Sequence, residues 1–461
     1  MKAKKIVGTL VPLFSLYNKN PQTATFETGG LFLDWLVKTK QSAWQLLPLH
    51  ETQLEKGSAT KPVTSPYKGY GIGLDPKYLS TQSLNLTPTK DELNNFMQSN
   101  IDWLPDYALF CALRDHFGTD DWSTWDENIK KRDSNTLEGI RKKYKQQIAQ
   151  YTLEQWQCYR AYKALWQKAK EKQIILIGDI PYYLSMQSPL VWAHQEVFQI
   201  DIDAKLSRVS GVLAGPKAHF GRQLWGHPLY HWGSIEQNEK IINLWKIRLR
   251  FLAKLFDMIR LDHANGFFYY GSLDPKDDAN DTLEKGPGFS IFEKIVNYAR
   301  FLGLEPYAED SSVKLRGLRQ ALVKLDVWGI RILRFALNEK RNELIDNYAY
   351  IKSYPRHTVA YTTLHDSEPL MGYLSLLTSS QKKVLTETAG VKLSSDKKVL
   401  ALRFRQAVLS SKAKIVIIPI QDWLLTYDRI NIPGTERQVN DPNWRYRLAV
   451  PVEQLPIPSH T

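Results

Sequence analysis

Short apolar, β-branched runs recur along this chain, separated by amphipathic or polar stretches, and this alternation restricts its fold more than any other feature. Strands of a parallel sheet read as near-continuous Val/Ile/Leu runs because both of their faces are covered, and the helices between them supply the cover. Eight such runs stand at residues 5–14, 43–49, 174–184, 258–263, 305–309, 329–335, 358–366 and 414–423. Eight is the strand number of the (β/α)8 barrel, so the expected class is α/β, with one TIM barrel spanning residues 1–461. The second and third runs are more than a hundred residues apart, and helical periodicity covers 90–117 and 134–172. Residues 51–172 therefore read as an inserted, mainly helical subdomain. The polar stretches at 51–64, 274–288 and 378–397 read as smaller rim insertions, either loops or exposed helices.

Composition narrows the class further. With 43% hydrophobic and 24% charged residues, the chain is neither disordered nor a multi-span membrane protein, and no membrane partner is expected. The balance of 61 Lys+Arg against 48 Asp+Glu leaves +13, but the basic residues are scattered among acidic and apolar ones at helical spacing. That pattern describes solvated helix faces, and no nucleic-acid partner is expected. The apolar run 6–17 follows Lys4-Lys5 as in a signal peptide, yet Pro12 breaks it and no small-x-small cleavage site follows, so it reads as a buried first strand. Two cysteines, Cys111 and Cys158, cannot build a disulfide framework or a cysteine zinc site, and the expected compartment is the cytoplasm.

Barrel enzymes carry their chemistry at the C-terminal ends of the strands. Here the fourth run ends Ile259-Arg-Leu-Asp-His263, the fifth Ala308-Glu-Asp310, the seventh Leu364-His-Asp366 and the eighth Ile420-Gln-Asp-Trp423. One carboxylate after a strand can equally cap a helix. Several on one rim, two of them beside histidines, suit glycoside chemistry, in which one carboxyl protonates the leaving oxygen and another attacks or supports the oxocarbenium-like centre. The segment 220–232 adds Phe220, Trp225, Tyr230 and Trp232 between glycines and a proline; its aromatics can either face sugar rings or fill core.

An ordered series of motifs runs through nearly the whole chain: Trp44-Gln-Leu-Leu-Pro48, Ser65-Pro-Tyr67, Ile177-Gly-Asp-Ile-Pro181, Gln223-Leu-Trp-Gly226, Ile259-Arg-Leu-Asp-His263, Lys285-Gly-Pro-Gly288, Ala308-Glu-Asp310, His365-Asp366, Ile420-Gln-Asp-Trp423 and Asn431-Ile-Pro-Gly-Thr435. In these the sequence resembles the 4-alpha-glucanotransferases, the amylomaltases or disproportionating enzymes of the alpha-amylase clan. The resemblance implies a retaining double displacement that moves α-1,4-glucan segments between maltooligosaccharides. It assigns Asp262 as nucleophile, Glu309 as general acid/base and Asp366 as transition-state stabiliser. Tyr67, Arg260, His263 and His365 would line the donor sugar site, Asp310 would bind substrate, Gln223 and Trp225 would fall in the loop over bound glucan, and Asn431 would make further sugar contacts. This chemistry requires no metal and no organic cofactor. The same residue set would also serve an α-glucan hydrolase of that clan, or a glucan-binding protein with weakened catalysis.

Physical reasoning beside the resemblance adds that Arg260 shares a strand face with Asp262, two residues away, and favours its ionised form, whereas Glu309 needs a less cationic or drier setting to hold a proton. The chain departs from the family pattern at Gln187, Lys217, Arg222, Asn265 and Ser367, where Asp, Asp, Gly, Arg and Asn are usual. A neutral Gln187 is expected to leave Arg260 with one anionic partner fewer. Oligomeric state is open at this level.

Overall fold

A computed structural model describes residues 5–18, 24–214, 221–311, 316–338, 342–433, 435 and 443–458. Its centre is an all-parallel sheet of eight strands: β1 (Ile6–Leu10), β2 (Ala43–Gln45), β3 (Ile175–Ile180), β4 (Met258–Leu261), β5 (Glu305–Ala308), β6 (Gly329–Ile332), β7 (Thr358–Tyr361) and β8 (Ile415–Pro419). Neighbours follow chain order from β1 to β5 and from β6 to β8, and β8 pairs with β1. Between β5 and β6 a parallel bridge joins Tyr307 to Trp328, and the Ala308 N–H donates to the Trp328 carbonyl at 2.8 Å, drawing the barrel shut. Each expected run thus holds one strand. The strands stop earlier than the runs, so that Asp262 and Glu309 lie just beyond a strand end and Asp366 lies in the loop after β7, which ends at Tyr361.

Helices cover the barrel outside. The first, α1 (Phe26–Lys38), follows β1 and starts at a capping box in which Thr25 and Thr28 satisfy each other's backbone N–H groups. Between β2 and β3 the longest helices are α2 (Leu104–Phe117) and α3 (Lys145–Glu171), accompanied by Lys90–Gln98 and Ser134–Lys143. The buried side of α3, with Trp156, Cys158, Tyr162 and Leu165, packs against both α1 and α2. Before β4, α4 (Ile235–Ala253) carries Trp245 and Arg248 into the interior. One hydrophobic core runs continuously through the barrel and these helices, and Trp44, Trp122, Trp192 and Trp245 are fully buried in it. Most aromatic residues therefore fill core.

One rim feature differs from the expectation. The segment 274–288 contains a strand, Thr282–Lys285, at one edge of a four-stranded antiparallel sheet whose other members are Tyr269–Leu273, Val209–Val212 and Gln223–Leu224. All four residues of Thr282–Lys285 are exposed, so the strand has no apolar face to reveal it in sequence.

Candidate active site

Register across the barrel sets up the site. Arg260 on β4 is paired with Asp179 on β3 and with Tyr307 on β5. Cα partners in a parallel sheet point to the same side, so all three face the interior. Beneath Arg260, Tyr307 and Tyr361 share a hydroxyl hydrogen bond at 2.9 Å, and Tyr361 donates to Gln45 Oε1 at 2.8 Å, a polar chain across the barrel.

Arg260 is 2% exposed and binds three carboxylates at once. Its Nη1 lies 2.7 Å from Asp179 Oδ2 and 2.7 Å from Asp262 Oδ1, and its Nη2 lies 2.8 Å from Glu309 Oε2. The Asp179 side chain is fully buried, whereas those of Asp262 and Glu309 are 22% and 24% exposed, so these two present themselves to a ligand. Glu309 also accepts the His263 N–H at 3.0 Å and the Ser311 hydroxyl at 2.8 Å. His263 reaches that position by adopting left-handed geometry, φ 46°, unusual for a non-glycine residue and typical of functional turns.

The electrostatics invert the sequence expectation. Burial raises the Asp262 pKa well above the usual carboxylate range; Arg260 opposes this, but Asp179, Glu309 and Asp366 add to the rise. For Glu309, burial is outweighed by Arg260, the His263 N–H and the Ser311 hydroxyl, which hold its carboxyl below the ordinary value. Arg260 thus serves both carboxyls instead of singling out Asp262. With three carboxyls on one guanidinium, these groups titrate as a coupled set, in which burial pushes Asp262 up while Arg260 and two further donors pull Glu309 down.

On the opposite wall, Asp366 lies 3.0 Å from His365 Nε2 and accepts from Asn431 Nδ2 at 2.6 Å. Although burial works to raise it, His365 and Asn431 hold the Asp366 pKa at about 2. Tyr67 links this wall to the hub: its hydroxyl donates to Asp179 Oδ2 at 2.7 Å and lies 3.0 Å from His365 Nε2, with the two rings stacked at 5.6 Å. Trp444 packs beside both rings. Within this site the buried imidazole nitrogens His263 Nε2 and His365 Nδ1 have no partner among the described residues.

Trp225 stands edge-on to the His263 ring at 5.0 Å, its indole N–H donating to Gln223 Oε1 at 3.1 Å. From there a cleft of 520 Å³ extends along Gln53, Lys68, Gln187, Arg222, Gln223 and His227.

The structure therefore brings Tyr67, Arg260, Asp262, His263, Glu309, His365, Asp366 and Asn431 into one contact network, with Trp225 and Gln223 at its edge. Asp310 is a correction. Alternation along the chain turns it away from Glu309, to accept the Ile330 N–H at 2.7 Å and pair with Arg331 and Arg319. A Cβ at Gly329 would come within 2.7 Å of its Oδ1, so only glycine leaves it that space. Gln187 is a second correction: its contact is Ser185, and it lines the cleft, while Asp179 supplies the buried anionic partner of Arg260. Asp422 is structural, accepting from Thr362, Thr363 and the Leu370 N–H at 2.5, 2.6 and 2.6 Å. Ser367 closes a turn onto Leu364, and Asn265 donates to the Tyr269 carbonyl. Lys217 lies outside the described residues. Sequence reasoning assigned no role to Asp179, Ser311 or Trp444. Asp179 stands inside a quoted motif, but its role becomes visible only through the β3–β4 register. Among the described residues no group of three or more His, Cys, Asp or Glu side chains is arranged to hold a metal ion.

A (β/α)8 barrel whose strand ends hold two partly exposed carboxyls on one buried arginine defines a glycosidase-type enzyme. The sequence matches the 4-alpha-glucanotransferase family, glycoside hydrolase family 77, over residues 75–452, and the chain belongs to that family. It is 30% identical over 459 residues to the 4-alpha-glucanotransferase of Aquifex aeolicus, with 90% of each chain covered. It is 28% identical to the chloroplastic/amyloplastic 4-alpha-glucanotransferase of Solanum tuberosum, covering 90% of this chain and 77% of that one. The fold superposes on the amylomaltase from Streptococcus agalactiae in complex with acarbose with a TM-score of 0.81 at 25% identity, covering 96% of this chain and 95% of that one. For the amylomaltase from Corynebacterium glutamicum the TM-score is 0.76 at 15% identity, over 97% and 73% of the chains, a likeness of fold.

Proposed function

We propose that this 4-alpha-glucanotransferase moves segments of α-1,4-glucans between maltooligosaccharides by a retaining double displacement at the Arg260 hub. In the first step an Asp262 carboxylate oxygen attacks C1 of the donor, the C1–O4 bond breaks, and Glu309 gives its proton to the departing O4. In the second, the acceptor 4-hydroxyl attacks C1, the ester bond to Asp262 breaks, and the hydroxyl proton passes to Glu309. Asp366, anionic through His365 and Asn431, stabilises the positive charge that develops at C1. The observation that carries this reading is the grip of one guanidinium on both exposed carboxyls, which suits the short spacing, about 5–5.5 Å, of retaining enzymes.

Turnover needs Glu309 protonated and Asp262 ionised, against the directions in which their surroundings push them in the ligand-free site. A glycosidic oxygen entering beside Glu309 has no proton and can only accept, so its approach favours the protonated Glu309 carboxyl, which donates to it. A protonated Glu309 is a weaker partner for Arg260 than its anion, so the guanidinium then favours the ionised form of Asp262. Substrate entry itself thereby sets the protonation state.

We read the whole chain as one catalytic barrel with residues 51–172 inserted in it, and the two buried free cysteines, Cys111 and Cys158, suit a cytoplasmic setting. No helix among the described residues is long and apolar enough to cross a membrane.

Incubation with maltotriose tests the function. The expected products are glucose and a ladder of shorter and longer maltooligosaccharides, with little net gain in reducing ends. A rise in reducing ends in proportion to substrate loss would show hydrolysis instead, and unchanged maltotriose with binding intact would show a glucan-binding protein.

A further inference from the structure

Arg222 stands immediately before the edge strand Gln223–Leu224 of the rim sheet, and Asp281 immediately before the opposite edge strand, Thr282–Lys285. The two side chains meet. Arg222 Nε donates to Asp281 Oδ2 at 2.7 Å and Nη2 to Asp281 Oδ1 at 3.0 Å, a bidentate pair, while Nη2 also donates to the Asp274 carbonyl at 2.8 Å. Asp281 Oδ1 further accepts the Asp274 N–H at 3.0 Å, and its side chain is only 6% exposed. The Arg222 guanidinium holds the Asp281 carboxyl below its ordinary range, so the pair is fully charged at neutral pH. The receiving loop is itself anchored, because Arg208 donates to Ser272 Oγ at 3.0 Å, to the Asn280 carbonyl at 2.8 Å and to Thr282 Oγ1 at 2.9 Å.

What the clamp fixes lies one to three residues further on. The Trp225 N–H donates to the Ser210 carbonyl at 3.0 Å, its indole reaches Gln223, and its ring meets His263, next to Asp262. Arg222, Gln223 and Trp225 together line the 520 Å³ cleft, and Trp225, through its contact with His263, is where that cleft meets the carboxylate site. Once the glucosyl ester on Asp262 has formed, an acceptor 4-hydroxyl and water compete for C1 with the same bond changes and the same proton transfer to Glu309. The acceptor prevails when a rigid wall orients its ring and excludes water.

We infer that the Arg222–Asp281 ion pair is a positioning device that sets the ratio of transfer to hydrolysis by holding the Gln223–Trp225 wall of the acceptor cleft in place. The inference rests on the transferase reading of this site and adds the residues that decide how its intermediate partitions.

The experiment compares the natural enzyme with Arg222→Gly, Asp281→Asn and the double variant on maltotriose. Glucan transfer and new reducing ends are measured together, alongside the single-turnover rate of donor cleavage. Either single substitution is expected to lower the transfer-to-hydrolysis ratio about tenfold, as a charge-assisted bidentate pair is lost, and to slow donor cleavage much less. The double variant should be no worse than either single one, because all three lose the same contact. An unchanged ratio in both single variants overturns the proposal. So does a loss in Arg222→Gly alone, which would mean that Arg222 acts by touching the acceptor, and so does an additive loss in the double variant. A general weakening of the fold would depress cleavage and transfer together and leave the ratio unmoved, which also counts against it. If the natural enzyme itself only hydrolyses maltotriose, the functional reading fails first; if it transfers and the variants match it, only the clamp fails.

Discussion

Arg260 must satisfy Asp179, Asp262 and Glu309 with two terminal nitrogens, and this crowding makes the site responsive to single donors. Ser311 is such a donor. Its hydroxyl bonds Glu309 Oε1 at 2.8 Å and favours the anion. Removing it in Ser311→Ala should raise the Glu309 pKa. A general acid works while protonated, so the basic limb of the pH dependence of kcat/KM should move to higher pH, with the acid limb little changed. A basic limb that stays in place or moves down would show that Ser311 does not act on Glu309.

Among the elements, β7 and β8 are joined through Asp422, which is 1% exposed and collects two threonine hydroxyls and the Leu370 N–H. Burial pushes its pKa up to about 6 against an ordinary value of 3.8. A folded-state value above the unfolded one means that the folded chain binds the proton more tightly. Its stabilising contribution is present below the unfolded value and is lost as pH rises through about 6, to an extent on the order of 3 kcal/mol. Asp366 has the opposite sign: its pKa of about 2 gives stability above the ordinary carboxylate range that disappears as pH falls. In Asp422→Asn the loss between about pH 4 and pH 7 should vanish. The natural protein's melting temperature should therefore fall relative to that variant over this interval, and a difference independent of pH would refute the assignment. From sequence, Asp422 resembled the rim carboxylates that do chemistry. Only its three donors, which leave it 1% exposed, distinguish a pinned structural acid from a reactive one.

At the scale of the whole molecule, the barrel was legible because each strand announces itself by a local run, and Asp262, Glu309 and Asp366 were legible because they stand at the ends of those runs. Features that depend on two distant segments were not. Asp179 needs the β3–β4 register, and the Tyr67–His365–Trp444 cluster needs three loops to converge. Asp310, one residue from Glu309, looked like part of the site until the alternation of side chains placed it behind the β5–β6 seam. Asp179 nevertheless bears directly on the site, since it shares Arg260 Nη1 with Asp262. The account's central claim is that Asp262, alone among the carboxyls on Arg260, becomes covalently glycosylated. An α-maltosyl fluoride donor given to Glu309→Gln, which slows loss of the ester more than its formation from so good a leaving group, should leave a maltosyl adduct on the protein. Peptide mapping by mass spectrometry should find that adduct on Asp262. An adduct on Asp366 or Asp179, or fluoride release with inversion at C1 and no adduct at all, would contradict the account.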